Sequence, residues 1–192
     1  MDDSRLTKKI FNYDYNVNGK WCKSVKSILK KTNMLDTYNN KEKCDIKLCR
    51  ENLLSLFINK WQKDIVKKPK LRTYCTFKTE FYTETYVTMN LSHQERSIIS
   101  QFRLGTLPLE IELGRFINKK VEDRICRCKN GVEDEIHFLF DCNLYDDIRD
   151  VFFKDVNINT TEDKNMIIKK LCVEHPRQFA KYLLKAMDGR KL

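Results

Sequence analysis

The chain has 192 residues, 37 of them Lys or Arg and 27 Asp or Glu, which gives a formal net charge of +10. This length allows one well-packed core or two small ones. No apolar run is long enough to span a bilayer, so no membrane partner is expected. Residues 1–5 lack the apolar stretch of a signal peptide, so we expect a cytoplasmic or nuclear protein whose eight cysteines are reduced or metal-bound.

Only five Gly and three Pro occur, which favours a mainly α fold. Apolar residues recur at helical spacing over residues 20–31 and again over residues 43–67. The second helix should stop near Lys68, because a residue that precedes proline, here Pro69, avoids the helical conformation. Residues 71–90 are rich in Thr, Tyr and Phe without a clear period, and they predict either two short strands or an irregular aromatic wrap.

Positive charge is concentrated in the first half of the chain. Residues 1–90 contain 19 Lys or Arg against 10 Asp or Glu, whereas residues 91–192 contain 18 against 17. The densest cluster surrounds Trp61 and Tyr74 and consists of Lys60, Lys63, Lys67, Lys68, Lys70 and Arg72. Cations attract phosphates and aromatic rings can stack on unpaired bases, so the cluster is a candidate nucleic-acid surface. The alternative is a solvated helix face with Trp61 in the core.

A second unit is predicted to begin near residue 90, so the chain divides into residues 1–90 and 91–192. Ser92 and Glu95 have the spacing of a capping box, and the helix that follows should end at Gly105. A short helix from Pro108 to about residue 118 comes next, followed by a loop over 119–129. The acids at 133–135 fit the first turn of another helix. Further helices are predicted at 144–154, 161–173 and 176–188, the last closed by Gly189.

Four potential metal ligands lie within 17 residues of this second unit: Cys126, Cys128, His137 and Cys142. Three thiolates and one imidazole are a complete tetrahedral shell for zinc. The single residue between the first two ligands is fewer than the usual two to four. The alternative is that these are ordinary thiols near a core histidine. Together the patterns predict a helical N-terminal region, a small helical zinc-finger-like module at 126–142 and C-terminal helices.

Nearly the whole chain resembles a known family, most specifically over residues 91–145. The residues that carry the likeness are Leu91-Ser-His-Gln-Glu-Arg-Ser-Ile-Ile-Ser-Gln-Phe-Arg-Leu-Gly-Thr-Leu-Pro-Leu, Glu112-Leu-Gly-Arg115-Phe, Glu122-Asp-Arg-Ile-Cys126 and Glu133-Asp-Glu-Ile-His-Phe-Leu-Phe-Asp-Cys142-Asn-Leu-Tyr. They resemble the C-terminal region of non-LTR (LINE-type) retrotransposon reverse transcriptases, which carries a zinc-knuckle-like Cys/Cys/His/Cys module. The resemblance implies that the four ligand positions above hold zinc. It also implies partners: RNA or DNA, and polymerase domains upstream in a longer polyprotein.

No catalytic centre is expected in this chain. A polymerase site needs paired carboxylates on a strand hairpin and a third Asp, which together hold two Mg²⁺ ions. Tyr145-Asp146-Asp147 has no residue between the tyrosine and the acids, and it lies in a helical pattern. We therefore interpret Asp146 and Asp147 as a solvated helix face rather than as metal ligands.

The combined prediction is a non-catalytic module that binds RNA or target DNA and contains structural zinc. Beside the cluster at 60–72, the predicted phosphate contacts are Arg96 and a rim near the metal that consists of Arg103, Arg115, Lys119, Lys120, Arg124, Arg127 and Lys129. The acids at 133–135 and 146–150 should face away from the polyanion. The alternative is a protein-interaction module, or an inactive truncated transposon remnant, that binds no nucleic acid.

Overall fold

The computed structural model describes residues 5–190 apart from the side chain of Phe77, so the N-terminal residues 1–4 lie outside the described part. The fold is mainly α, as predicted: over residues 5–190 the backbone forms helices and turns and no strand. Extended pairing within this range is limited to one antiparallel bridge between Ile125 and Val132.

The chain divides into two compact units, Met1–Lys63 and Asp64–Leu192. The first unit contains α1 (Leu6–Asn16), α2 (Lys20–Lys31), α3 (Leu35–Asn39) and most of α4 (Ile46–Val66). Its core is small. Among the described residues it consists of the buried side chains of Cys22, Leu29 and Tyr38, with partly buried neighbours such as Phe11 and Val25.

The second unit begins with a 3-10 turn at Pro69–Leu71. Its helices are α5 (Arg72–Phe77), α6 (Thr85–Thr88), α7 (His93–Arg103), α8 (Glu110–Phe116), α9 (Asp146–Asp155), α10 (Lys164–Val173) and α11 (Pro176–Arg190). Helix α11 packs against α7 and α9. Phe179 of α11 meets Phe102 edge to face at 5.1 Å between ring centroids, and Tyr182 stacks on Phe152 at 4.7 Å. These rings form the centre of a large continuous core.

The segment between α8 and α9 has little regular structure. It contains 3-10 turns at Val121–Asp123 and Asn143–Tyr145 and a π-helical turn at His137–Asp141. The four predicted ligands all lie in this segment. Since so little of it is stabilised by helical hydrogen bonds, its conformation depends on side-chain contacts.

The strongly periodic helices match the predictions within a few residues, but three predictions differ from the structure. Residues 71–90 form short helices and irregular backbone, not strands. Helices α1 and α3 were not predicted, because neither has a capping residue or a buried apolar stripe that the sequence would reveal. Gly189 lies inside α11 rather than beyond its end, because α11 continues to Arg190.

The division at residue 63 falls earlier in the chain than the boundary suggested near residue 90. Helices α5 and α6 pack on α10 of the second unit. Residues 72–84 are also attached to the rest of the second unit by ion pairs, from Glu84 to Arg103 at 2.6 Å and from Arg72 to Glu135 at 2.7 Å. The sequence contains no period for residues 71–90, so this attachment was not predicted from it.

The capping box at the start of α7 is confirmed: Glu95 N donates to Ser92 Oγ at 3.2 Å, and Ser92 N donates to the Glu95 carboxylate at 2.7 Å. We expect Ser92→Ala to lower the free energy of unfolding by about 1 kcal/mol, because one amide donor loses its acceptor. Urea unfolding measures the change. Ser97→Ala, within the same helix, is the control and should shift stability by about 0.5 kcal/mol or less. Equal losses in both variants would contradict a capping role.

Candidate metal centre and basic surface

Cys126, Cys128, His137 and Cys142 come together in the structure. One ligand atom from each residue lies within 4.8 Å of all the others. The sulfurs of Cys126 and Cys142 are 3.6 Å apart, and Cys128 Sγ is 3.2 Å from His137 Nε2. Three of the four side chains are buried, and Cys128 is partly exposed. These residues therefore lie close enough to bind one metal ion.

The distances agree with a tetrahedral site. With Zn–S bonds of about 2.3 Å and Zn–N bonds of about 2.0–2.1 Å, neighbouring sulfurs lie about 3.8 Å apart and a sulfur lies about 3.6 Å from the nitrogen. The observed separations of 3.6 and 3.2 Å are slightly shorter than these edges. All four atoms lie within 4.8 Å of one another, so small adjustments of the side chains would place them around a single ion.

A tight turn positions the first two ligands. Cys126 N donates to Gly131 O at 2.9 Å, and Lys129 N donates back to Cys126 O at 2.8 Å. Two residues of the turn adopt positive φ angles, +63° at Lys129 and +120° at Gly131. Gly131 suits such a position because it lacks a Cβ. The Ile125–Val132 bridge closes the base of the turn, so Cys126 and Cys128 are held although only one residue separates them.

The π-helical turn positions the other two ligands. His137 N donates to Asp134 Oδ1 at 2.8 Å, and Cys142 N donates to His137 O at 2.8 Å. This second bond spans five residues, which is the π-helical pattern. Residues five apart in such a turn lie near the same face, whereas in an α-helix they would point well apart. The π turn therefore directs His137 and Cys142 toward the same point.

The buried thiols favour the neutral form when no cation is present. Burial, the largest cause, raises the pKa of Cys126 well above its ordinary value, and hydrogen bonding to Cys142 and the nearby Glu133 carboxylate also act upward. Burial likewise raises the pKa of Cys142. A bound divalent cation reverses this preference, because it coordinates and stabilises the thiolates.

Buried charges surround the ligands. Arg149 is 8 % exposed and donates to Cys142 O at 3.0 Å. Glu133 is fully buried, pairs with Arg190 and accepts a 2.7 Å hydrogen bond from Glu110 N. Arg190 also donates to Pro108 O at 2.9 Å. These contacts connect the ligand segment to α8 and α11.

Two of the acids at 133–135, which were predicted to lie in the first turn of a helix and to face away from a polyanion, are internal. Glu133 is 0 % exposed and Glu135 is 1 % exposed. Glu135 accepts hydrogen bonds from Arg72 and from Thr73 Oγ1 at 2.7 and 3.0 Å. Burial raises the pKa of the Glu135 carboxyl, although the contacts with Arg72 and Thr73 act in the opposite direction. Both acids are therefore internal ion-pair partners.

The remaining nearby acids lie apart from the metal group. Asp141 is exposed and pairs with Lys164 at 2.6 Å. Asp146 and Asp147 are exposed in the first turn of α9, as the helical pattern predicted, and Asp146 pairs with Arg149. This placement gives the two aspartates a helical position, not the strand hairpin of a polymerase site.

The fourteen residues predicted to contact nucleic acid fall into two groups. The first is exposed and makes no ion pair with any acid in residues 5–190; it consists of Lys60, Lys63, Lys67, Lys68, Lys120, Arg127 and Lys129. Of these, Lys60 and Lys63 lie on α4 and Lys67 and Lys68 directly follow it. Arg127 donates to the carbonyl of Arg190 at 2.6 Å. This group is available to an external anion.

The second group already has internal partners. Lys70 and Arg115 pair with Glu112 at 3.0 and 2.8 Å, Arg72 pairs with Glu135, and Lys119 lies 3.9 Å from Glu110. Two further arginines donate to backbone carbonyls, Arg96 to Leu91 and Arg124 to Lys119 and Ile111. The charged groups of these side chains are partly or wholly occupied by contacts that stabilise the fold.

Arg103 requires a correction. Its side chain is 2 % exposed and pairs with Glu84 at 2.6 Å, so it is not placed to touch a phosphate. Glu84 also pairs with the buried Lys78 at 2.5 Å. Burial opposes ionisation of Glu84, but the hydrogen bonds from Arg103 and Lys78 outweigh it and lower the pKa of this carboxyl. Position 103 was assigned to the rim from helix spacing, which does not show what packs over it.

Sequence analysis missed the arginines that support the ligands, Arg149 and Arg190, and a row of exposed cations on α11. Arg177, Lys181 and Lys185 are spaced by four residues, so they share one face of the helix. That spacing was readable from the sequence. The partners of Arg190 were not, because Glu133 and Pro108 lie 57 and 82 residues away. Arg149 contacts Cys142 and Asp146, which are close in sequence, but nothing in the sequence indicates that its side chain is buried.

Comparison with protein-family models, with curated proteins and with solved structures finds no match to this chain. Among the described helices, none is both long enough and apolar enough to cross a membrane.

Proposed function

We propose that this chain is a non-catalytic nucleic-acid-binding module whose C-terminal unit is stabilised by one structural zinc ion. The observation that carries the proposal is the group of exposed cations without acid partners in the described chain, on a protein with net charge +10. Such charges attract phosphates and release counterions on binding. The resemblance to the C-terminal region of LINE-type reverse transcriptases supports the same conclusion and favours RNA or target DNA as the partner.

Zinc is the metal that best suits the four ligands. Three thiolates and one imidazole in a tetrahedral arrangement favour zinc over the hard cations that prefer oxygen ligands. All four positions are taken by protein atoms, which is typical of structural rather than catalytic zinc. The ion would hold the turn at 126–131 against the π turn at His137–Asp141 and supply order that this segment otherwise lacks.

Charge reversal tests the nucleic-acid proposal. We expect Lys63, Lys67 and Lys68 changed together to Glu to weaken binding to single-stranded RNA and DNA. The slope of log affinity against log salt should fall by about 2–3, because up to three phosphate contacts are lost at about 0.7–0.9 each. Filter binding across a salt series measures both quantities. Zinc content should stay unchanged, since the metal ligands lie elsewhere.

The matched control changes Lys9, Lys20 and Lys23 to Glu. These exposed lysines lie on α1 and α2 and form no ion pair in the described chain, so the control alters the net charge equally. It should reduce affinity less and keep most of the salt slope. The nucleic-acid proposal is wrong if the wild-type protein binds neither RNA nor DNA at low salt. If the two triple variants have the same affinity and the same salt slope, the cluster at 60–72 is instead refuted as the contact surface.

A second candidate function, protein interaction, is favoured by the apolar surface of α4. Ile46 is 78 % exposed and Phe57 54 % exposed, with Leu53, Leu54 and Leu56 also exposed. A helix with apolar residues on several sides is normally covered. An upstream polymerase domain in a longer polyprotein is the partner we propose for this surface. Such apolar association would not weaken as salt rises, which separates it from phosphate binding in the same salt series.

A further inference from the structure

A small cavity lies beside the metal ligands, between the start of α9 and the end of α11. Its volume is about 350 Å³, and its walls are formed by Arg127, Leu144, Tyr145, Ile148, Lys185, Ala186, Gly189 and Arg190. This volume is near the lower end of the range for small-ligand sites, about 300–1,000 Å³. No acidic residue belongs to these walls.

Two positive charges in the cavity wall are available to a ligand. Arg127 and Lys185 are exposed, and neither pairs with an acid among residues 5–190. The third cation, Arg190, is neutralised by Glu133. Arg127 also donates to Arg190 O at 2.6 Å, which covers one carbonyl at the C-terminal end of α11. Uncovered carbonyls there would repel an anion, so this contact makes the cavity more favourable for one.

The opposite wall is apolar. Leu144 is 56 % exposed and Ile148 is partly buried, and both residues line the cavity. The ring of Tyr145 packs edge to face on Phe138 at 4.8 Å, which fixes the wall between them. A ligand that fits both walls has an anionic group at one end and a flat apolar group at the other. A nucleotide has this composition.

We propose that this cavity holds one nucleotide of the bound single strand, with its phosphate on Arg127 and Lys185 and its base against Leu144 and Ile148. This inference rests on the proposed nucleic-acid binding. Arg127 lies between the ligands Cys126 and Cys128, so the metal-bound turn determines where its guanidinium stands. The cavity therefore joins the metal centre to the basic face of α11.

The test uses fluorescence anisotropy with labelled oligopyrimidine single strands of RNA and of DNA. Arg127→Gln combined with Lys185→Gln should weaken binding about tenfold or more, because two charge-assisted contacts are lost. The control is Lys154→Gln with Lys169→Gln, which removes two exposed cations elsewhere on the same unit and should cost about threefold or less. Both pairs change the net charge equally.

The apolar wall is tested separately. Leu144→Ser should weaken binding about fivefold or more, since one base loses its apolar contact. The control Leu113→Ser alters a comparably exposed leucine of α8 outside the cavity and should leave affinity unchanged. Zinc content and thermal unfolding of every variant establish that the fold is retained.

The outcomes separate this inference from the proposed function. Wild-type protein that binds no single strand overturns both. If the wild-type protein binds a single strand but the Arg127 and Lys185 double variant binds as tightly as its control variant, only the nucleotide cavity is overturned. If the Arg127 and Lys185 double variant loses affinity but Leu144→Ser does not, the base contact is overturned and the cavity is a phosphate site only.

Discussion

Replacing Cys142 by alanine is expected to abolish metal binding, and His137→Ala should do the same. Cys142 is fully buried with its sulfur 3.6 Å from that of Cys126, so its replacement removes one of the four donor atoms from the centre of the group. For structural zinc, the free energy of metal binding, on the order of 10–16 kcal/mol in small zinc peptides, is also folding free energy. We therefore expect residues 119–142 to lose their ordered conformation. Elemental analysis of the purified protein should give about one zinc per wild-type chain and close to none per variant.

The control for this prediction is Cys172→Ala. Cys172 is equally buried, at 1 % exposure, but lies in α10 outside the ligand group. Its replacement should reduce stability and leave the zinc content at the wild-type value. Hydrogen exchange of residues 119–142 distinguishes the two variants further, because only loss of the metal should speed exchange there. Zinc retained in both Cys142→Ala and His137→Ala would show that the metal proposal is wrong.

The second large effect is expected at the ion pairs of Glu84. Glu84→Gln would leave Arg103 and Lys78, 2 % and 4 % exposed, without the carboxylate that both now contact. A buried charge that loses its partner typically costs about 3–5 kcal/mol. We expect a loss of this size in urea unfolding, seen as a lower midpoint with an unchanged slope.

The matched control is Glu162→Gln. Glu162 pairs with Lys170 at 2.6 Å, but the two side chains are 33 % and 38 % exposed. Surface ion pairs contribute about 0–1 kcal/mol, so this variant should be close to wild type. A loss at Glu84 no greater than the loss at Glu162 would mean that Arg103 and Lys78 find other compensation. The comparison also tests the correction made for Arg103, which is internal and not part of a phosphate-binding rim.

The features that were predicted best from the sequence are those formed by residues close together along the chain. Ser92 and Glu95 form their capping box three residues apart. The grouping of Cys126, Cys128, His137 and Cys142 was also predicted, since all four lie within 17 residues and their donor chemistry is specific. The long helix α4 was predicted from apolar spacing and ends before Pro69 as expected. In each case the signal and its consequence belong to one short segment.

Long-range partners were not predictable in the same way. Glu133 and Glu135 have the appearance of surface acids, because their partners Arg190 and Arg72 are 57 and 63 residues away. Without an approximate fold, nothing in the sequence indicates which arginine meets which acid. The same reason explains why Arg103 was placed on a basic rim and why residues 64–90 were assigned to the first unit.

The position of Arg190, at the C-terminal end of the last helix, has a practical consequence for handling the protein. Its side chain neutralises Glu133 and its carbonyl accepts a hydrogen bond from Arg127, so the end of α11 is attached to the turn that carries Cys126 and Cys128. A truncation that removes Arg190 would leave a carboxylate buried and unpaired next to Cys126. A shortened form of the protein should therefore keep Arg190, so that this attachment remains intact.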